Sequence, residues 1–254
     1  MAFDRQTGRP VSLMLDGREM LAQGQGFLFD NHRWIENDRF LQTANGLEEQ
    51  GTLSCVREGE GARARYVVST GRKGAYASQA IVYTIHPGGI VDMDVTLIPH
   101  TDQLRRAGLA CALDSTLQQV HYYGMGPYEN YPDRKAGVMW GRYSSTVDDL
   151  TEYNVKPQTM GNRFAREVSL TDAEGRGMKI HCLEGLYFSA TRYTDSDLME
   201  AAHQWELKKR PYIYLHLDRE QRGLGNASCG PGPMGKYTIS GAEPIRYKIR
   251  LSAL

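Results

Sequence analysis

Residues 80–97 read Ala-Ile-Val-Tyr-Thr-Ile-His-Pro-Gly-Gly-Ile-Val-Asp-Met-Asp-Val-Thr-Leu, and no other stretch restricts the fold as strongly. Val91, Met93, Val95 and Leu97 alternate with Asp92, Asp94 and Thr96. A period of two puts such residues on opposite faces of a strand, whereas a helix would scatter them round its axis. On the other side of Pro87-Gly88-Gly89, Ala80, Val82 and Thr84 alternate with Ile81, Tyr83 and Ile85. The pattern predicts a long antiparallel hairpin with one buried face. Near the end of the chain Ile245, Tyr247, Ile249 and Leu251 alternate with Arg246, Lys248 and Arg250, which predicts another strand with one wet side.

Strand-like runs are also predicted over 52–58, 63–69, 107–113, 142–145, 164–170, 178–183, 186–192 and 212–217. At the start, a strand from Phe3, a turn at Gln6-Thr7-Gly8, a strand through Val11, Leu13 and Leu15 and an Asp16-Gly17 hairpin turn lead to Leu21. Residues 22–45 lack alternation but hold Phe27, Phe29, His32, Trp34 and Phe40. They predict a loop anchored by its own aromatics, covering the core or facing a partner domain. One helix is predicted, with Thr194 as cap, Asp197 as its capping-box partner, Leu198, Met199, Ala201 and Ala202 as its apolar side, and an end near Glu206 to Lys208. Many strands, one short helix and no repeat of 20–50 residues predict an all-β fold, a large antiparallel sandwich forming a single domain over 1–254.

Thirty basic residues balance thirty acidic ones. No basic field is present to gather nucleic acid or an anionic membrane, and no apolar run is long enough to span a bilayer. A soluble chain is expected, its compartment open. Cys55, Cys111, Cys182 and Cys229 are far apart without a C-x-x-C pair. The first three lie in apolar runs and are expected to be buried thiols, not zinc ligands.

The densest polar stretch runs Gly124-Met-Gly126-Pro127-Tyr-Glu129-Asn130-Tyr131-Pro132-Asp133-Arg134-Lys135. Its charges predict a local ion-pair network of Glu129, Asp133, Arg134 and Lys135 that pins two strands at a corner. Loss of Arg134 would cost about 1–3 kcal/mol if that pair is buried. The stretch resembles the G-x-G-P-x-E-N-Y-P-D-R signature of the C-terminal domain of glycoside hydrolase family 2 β-galactosidases, also found as the small subunit of split enzymes. Residues 3–8 and 21–38 resemble the family's opening hairpin and the segment after it. Residues 222–231, Arg-Gly-Leu-Gly-Asn-Ala-Ser-Cys-Gly-Pro, resemble its G-x-G-x-x-S-x-x-P loop. The resemblance implies a galactose-mutarotase-like supersandwich, a catalytic barrel domain or large subunit as partner, a β-galactoside as substrate and a homo-oligomeric parent.

Retaining glycoside hydrolysis needs two carboxyl groups about 5–5.5 Å apart. By the resemblance both belong to the barrel domain, the acid following an asparagine; this chain has no Asn-Glu dipeptide, and Glu129 precedes its asparagine. No catalytic residue and no pair of facing carboxyl groups in a pocket is therefore expected here. The seven histidines stand singly, without H-E-x-x-H spacing, no G-x-S-x-G is present, and no metal or cofactor is expected. The resemblance places the loop 223–235 at the mouth of the barrel's active site, making Asn226, Ser228, Cys229 and Gly230 substrate-proximal. Where some members carry a tryptophan that stacks on sugar, this chain has Cys229 or Gly230. The alternatives are a stand-alone carbohydrate-binding module and an aldose epimerase.

Overall fold

The computed structural model describes residues 1–38, 41, 52–58, 60–68, 77–227 and 229–254. The first strands are short: β1 (Ala2–Phe3), β2 (Pro10–Ser12), β3 (Met14–Leu15) and β4 (Arg18–Glu19) form two hairpins. Twelve more form one network: β5 (Leu28–Asp30), β6 (Thr52–Glu58), β7 (Gly61–Val68), β8 (Ala77–Ile85), β9 (Val91–Pro99), β10 (Arg106–Asp114), β11 (Gln119–Gly126), β12 (Met139–Thr146), β13 (Arg163–Thr171), β14 (Gly177–Thr191), β15 (Tyr212–Gln221) and β16 (Ile245–Ala253). Every pairing is antiparallel.

The network forks at β14. Its residues 178–181 pair with β16, from which β9, β8, β7 and β6 follow in order. Its residues 187–191 pair with β15, which continues into β10 and β5. The two runs predicted over 178–192 are thus one strand, with Gly185 at a φ of 78° between the two pairings. One core lies between the branches. Ile81, Tyr83, Met93, Val95 and Ile249 supply one wall, and Leu109, Leu113, Ile213, Leu215 and Leu217 the other. Tyr247 ties them by donating its hydroxyl to the Leu217 carbonyl, 3.2 Å away. Burial of these large side chains at about 25 cal/mol per Å² is what holds two twisted layers face to face.

The long hairpin has its predicted face inward: Ala77, Gln79, Ile81 and Tyr83 on β8 and Val91, Met93, Val95 and Leu97 on β9 are buried. The last position of the run predicted over 63–69 lies outside the described residues. Phe27 and Phe29 are buried, and residues 28–30, read as loop, form β5 on the edge of β10. Helix α1 (Asp195–Glu200) has both halves of its capping box: Asp197 N–H donates to the Thr194 hydroxyl, and Thr194 N–H to the Asp197 carboxylate. It stops at Glu200, not near 206, because the Lys156 ammonium takes the carbonyls of Met199 and Ala201 that a further turn would have used. A separate 3₁₀ turn spans Gln204–Glu206. Cys111 and Cys182 are buried, but Cys55 is exposed, since β6 is the last strand of its branch and Val56 beside it also faces water. No helix among the described residues is long and apolar enough to cross a membrane.

Candidate functional site

The corner 124–135 spends its polar groups on backbone. Asn130 is fully buried; its amide donates to the carbonyls of Met125 and Tyr128 and its oxygen accepts from Phe164 N–H. Asn162 answers by donating its amide to the Asn130 carbonyl at 2.7 Å. Glu129 accepts from Gly161 N–H and pairs with Arg134 at 3.3 Å. Burial pushes the Glu129 carboxyl up, Arg134 partly opposing it. Tyr131 is buried beneath the Arg33 guanidinium. Gly126 and Pro127 lead in through a cis peptide, and Pro132 follows Tyr131 in the bend.

Asp133 does not join the predicted ion-pair network. Its two carboxylate oxygens accept from Leu224 N–H at 2.9 Å and Gly225 N–H at 2.8 Å, and so grip the loop predicted to approach substrate. Residue 223 must be glycine for this grip, since a Cβ there would meet the Asp133 carboxylate at 2.6 Å. Lys135 lies over the rings of Phe164 and Tyr187 at 4.7 and 5.2 Å. Of the four predicted partners only Glu129 and Arg134 pair, because the Asp133 carboxylate accepts from the loop's N–H donors instead and two aromatic faces hold Lys135.

Anchored at its base, the loop leaves its tip in water. Asn226, Cys229 and Gly230 are exposed, with Asn226 accepting the N–H groups of Cys229 and Gly230 in a local turn. Ser228 lies outside the described residues. Asn37 adds a second tether, donating to the carbonyls of Leu224 and Gly225.

Behind the loop lies a buried charge network absent from the predicted site. Arg33 is fully buried; it holds Asp38 with two bonds of 2.7 and 2.9 Å and donates to Gln221 Oε1 and the Arg222 carbonyl. Gln221 passes the link on to Asp218, 2.7 Å away. Arg106, also fully buried, stands 3.1 Å from Asp218, 2.9 Å from His216 Nδ1 and 3.9 Å from Asp195. Burial outweighs the pull of Arg106 and, with Asp30 and Asp195 adding to it, pushes the Asp218 carboxyl up to about 7. Burial next to Arg106 drives the His216 imidazole well below its ordinary range.

Beside this network opens a pocket of about 300 Å³, lined by Asp30, Asp195, His216, Tyr214, Leu28 and Ala110 among others. Its floor follows from register. Leu28 and His216 are both paired with Ala110, and Asp30 and Asp218 with Gly108, so the six residues share one face of β5, β10 and β15. Gly108 keeps that floor low, as a Cβ would come within 2.3 Å of the Asp218 Cα. The other face of β15 carries Ile213, Leu215 and Leu217 into the core. In Tyr214-Leu-His216-Leu-Asp218 the polar residues at every second position were the one legible sign of this floor.

The expectation that no two carboxyl groups meet in a pocket fails here. Asp30, Asp195 and His216 bring one ligand-type atom each to within 4.8 Å of one another. Histidines that stand singly in sequence are thus no guide to what a strand pairing brings together. Asp195 is spoken for: Thr159 donates its hydroxyl to it, Trp34 N–H lies 3.5 Å away and Arg106 faces its other oxygen. Burial pushes the Asp30 carboxyl up, against the pull of Arg106. A first-row metal would need the lone pair of His216 Nδ1, which already accepts from a guanidinium.

Comparison with known proteins adds the context. A protein of Escherichia coli K12 solved as a candidate aldose 1-epimerase overlays with a TM-score of 0.50 at 12% identity, covering 97% of this chain and 92% of that one. A TPR-domain-containing protein from Parabacteroides distasonis overlays with a TM-score of 0.53 at 8% identity, covering 98% of this chain and 44% of that one. These likenesses show the fold alone, a galactose-mutarotase-like antiparallel supersandwich. In sequence, a β-galactosidase of Photobacterium profundum is 32% identical over 232 residues, 87% of this chain, and one of Enterobacter cloacae is 29% identical over 226 residues. The chain spans only 22% and 21% of the length of these two relatives. The family model described as the beta galactosidase small chain matches residues 1–251, and the chain belongs to that family.

Proposed function

We propose that the chain is a non-catalytic wall of a retaining β-galactosidase, presenting the loop 223–235 to an active site whose acid and nucleophile stand on a barrel domain or large subunit. The observation that carries this reading is the grip of Asp133 on Leu224 and Gly225. A loop fixed at its base with an exposed tip is built to present that tip. The corner motif then has a role in the reaction without touching substrate: it sets where Asn226, Cys229 and Gly230 stand. Without an indole at the tip, contact with the leaving group falls to small and polar groups and to backbone. The one carboxylate pair in the pocket does not supply the chemistry, since an Asp195 held by a hydroxyl and faced by a guanidinium is a poor nucleophile.

The test has two arms. The purified chain should leave a chromogenic β-galactoside intact, and turnover that tracks the chain through purification would overturn the reading. In the full-length parent enzyme, Asp133→Ala should raise KM and lower kcat/KM for lactose while the first-formed galactose keeps the β configuration by NMR. Unchanged kinetics would remove the loop from the entrance.

A further inference from the structure

We infer that the open edge of β12 receives an extended, acidic stretch of polypeptide as an added strand. The reading of the chain as one wall of a larger enzyme supplies only the source of that stretch; the edge itself belongs to this chain.

The edge is regular. β12 ends the network, and its eight residues pair one to one with β11, from Met139 opposite Gly126 to Thr146 opposite Gln119, with no bulge. On its other side no strand pairs with it among the described residues. The Tyr143 hydroxyl takes the Met139 carbonyl and Leu150 N–H the Thr146 carbonyl, so the open stretch is 140–145. Proteins blunt such edges with proline, lysine, a bulge or brevity. β5, which ends the other branch beyond β10, has three residues, whereas β12 has eight with neither proline nor lysine.

The side chains here are those of a contact surface. Met139 is 74% exposed and Trp140 45%, and Tyr128, two residues past the strand partner of Met139, is 67% exposed. Trp140 stands 5.4 Å from Tyr123 and 6.0 Å from Phe164, so the exposed groups continue inward as one aromatic strip. Large apolar side chains gathered in water at one edge mark an interaction site.

Charge selects the occupant. Between 134 and 146 the chain carries Arg134, Lys135 and Arg142 and no carboxylate. Arg142 lies over Tyr123 at 5.1 Å and Arg166 over Trp140 at 5.5 Å, which sets two exposed guanidinium groups beside the indole. Glu167, paired with Tyr123 across the sheet, is already shared between Arg142 and Lys179. A second copy would bring the same cations to the edge and is repelled. A phosphate backbone accepts hydrogen bonds but donates none, which leaves the edge's carbonyls facing phosphate oxygens. An extended peptide meets donor with acceptor along the whole edge, and Asp or Glu at every second position reaches the guanidinium groups.

Hydrogen exchange over 139–146, followed by mass spectrometry in the 254-residue chain and in the full-length parent enzyme, tests the edge. The outward amides should exchange about tenfold or more slowly in the parent than in the chain alone. Arg142→Glu, at a side chain 77% exposed, should return fast exchange to the parent while the chain alone keeps its wild-type melting curve. A benzoylphenylalanine photo-crosslinker in place of Met139 should capture a segment of the parent richer in Asp and Glu than in Lys and Arg. The inference falls if chain and parent exchange alike over 139–146, or if Arg142→Glu leaves the protection intact. A crosslink between two copies of β12, or to a basic or neutral segment, also sinks it, as does protection of the chain alone by added oligothymidylate where the parent shows none. Kinetics of Asp133→Ala bear on the entrance role and not on this edge, so the two readings fail separately.

Discussion

The corner at 124–135 and the pocket floor on β5, β10 and β15 are built from the same kinds of residue to opposite ends. In the corner, Asn130, Glu129 and Asp133 turn their side chains onto main-chain amides and carbonyls, so the polarity is consumed in fixing a path. On the floor, Asp30, Asp195, His216 and Asp218 turn toward one another round Arg106, so part of the polarity stays available. A contiguous polar motif is what positioning looks like in sequence, because nearby residues cap nearby backbone. A site with spare hydrogen-bonding capacity is assembled from distant strands whose pairing no local pattern announces.

Arg33 joins the two, with its guanidinium over Tyr131 of the corner and a chain through Gln221 to Asp218 on the floor. Arg33→Met should therefore have the largest effect. It leaves the Asp38 carboxylate buried without its two-bond partner, a change that costs about 3–5 kcal/mol. Urea denaturation followed by circular dichroism measures it. A loss below about 1 kcal/mol would mean that corner and pocket stand independently.

Next in size is the contrast inside the corner. Asp133→Ala removes the acceptor of two loop amides, about 1.5–3 kcal/mol for bonds to a charged group. Arg134→Ala should cost under about 1 kcal/mol, because its side chain is 63% exposed and its pair with Glu129 is screened by water. Equal losses for the two would return the corner to an ion-pair pin, as its charges alone suggest.

How much was legible follows from the same contrast. Alternation placed the strands β8, β9 and β16 and their buried faces, and the Thr194–Asp197 spacing placed the capped start of α1. The motif located the corner but not the partners of its charges, since Asp133 pairs with Leu224 and Gly225, far along the chain. Asp30 was hidden because β5 has three residues, too few for a period to show. His216 was read as one of seven scattered histidines, although Tyr214, His216 and Asp218 repeat every second residue on a strand whose other face is apolar. Arg33 and Arg106 gave no signal, as burial of a long cation depends on carboxylates that tertiary structure alone brings near.

The floor should also titrate unlike the corner. His216 has its folded pKa pushed below 6.5, so on acidification the unfolded chain takes up a proton that the folded one refuses, and stability falls. Asp218 has its folded pKa raised from 3.8 to about 7, so in that window the folded chain holds the extra proton and stability falls as pH rises. Both face Arg106, with Asp30 and Asp195 nearby, and between pH 4 and 6.5 their slopes oppose. His216→Asn should leave stability declining toward neutral pH, and Asp218→Asn should leave it rising, each by up to about 1.4 kcal/mol per pH unit. Stability curves for the two variants that stay parallel across this window would show that the floor does not hold its protons as a buried cluster.

The smallest effect sharpens the comparison from the corner's side. Lys135 is the one corner charge bound neither to backbone nor to a carboxylate in the way its neighbours are; it rests on Phe164 and Tyr187, and burial lowers its pKa. Lys135→Met keeps the aliphatic stem on the rings and removes only the charge, which at a half-buried site costs about 0.5–1 kcal/mol. Lys135→Ala removes stem and charge together and should cost more, because the rings then lose their cover. If Met destabilises as much as Ala, the ammonium itself secures this edge of the corner. If Met is neutral, the charge contributes nothing and the corner is held by backbone capping and apolar contact alone.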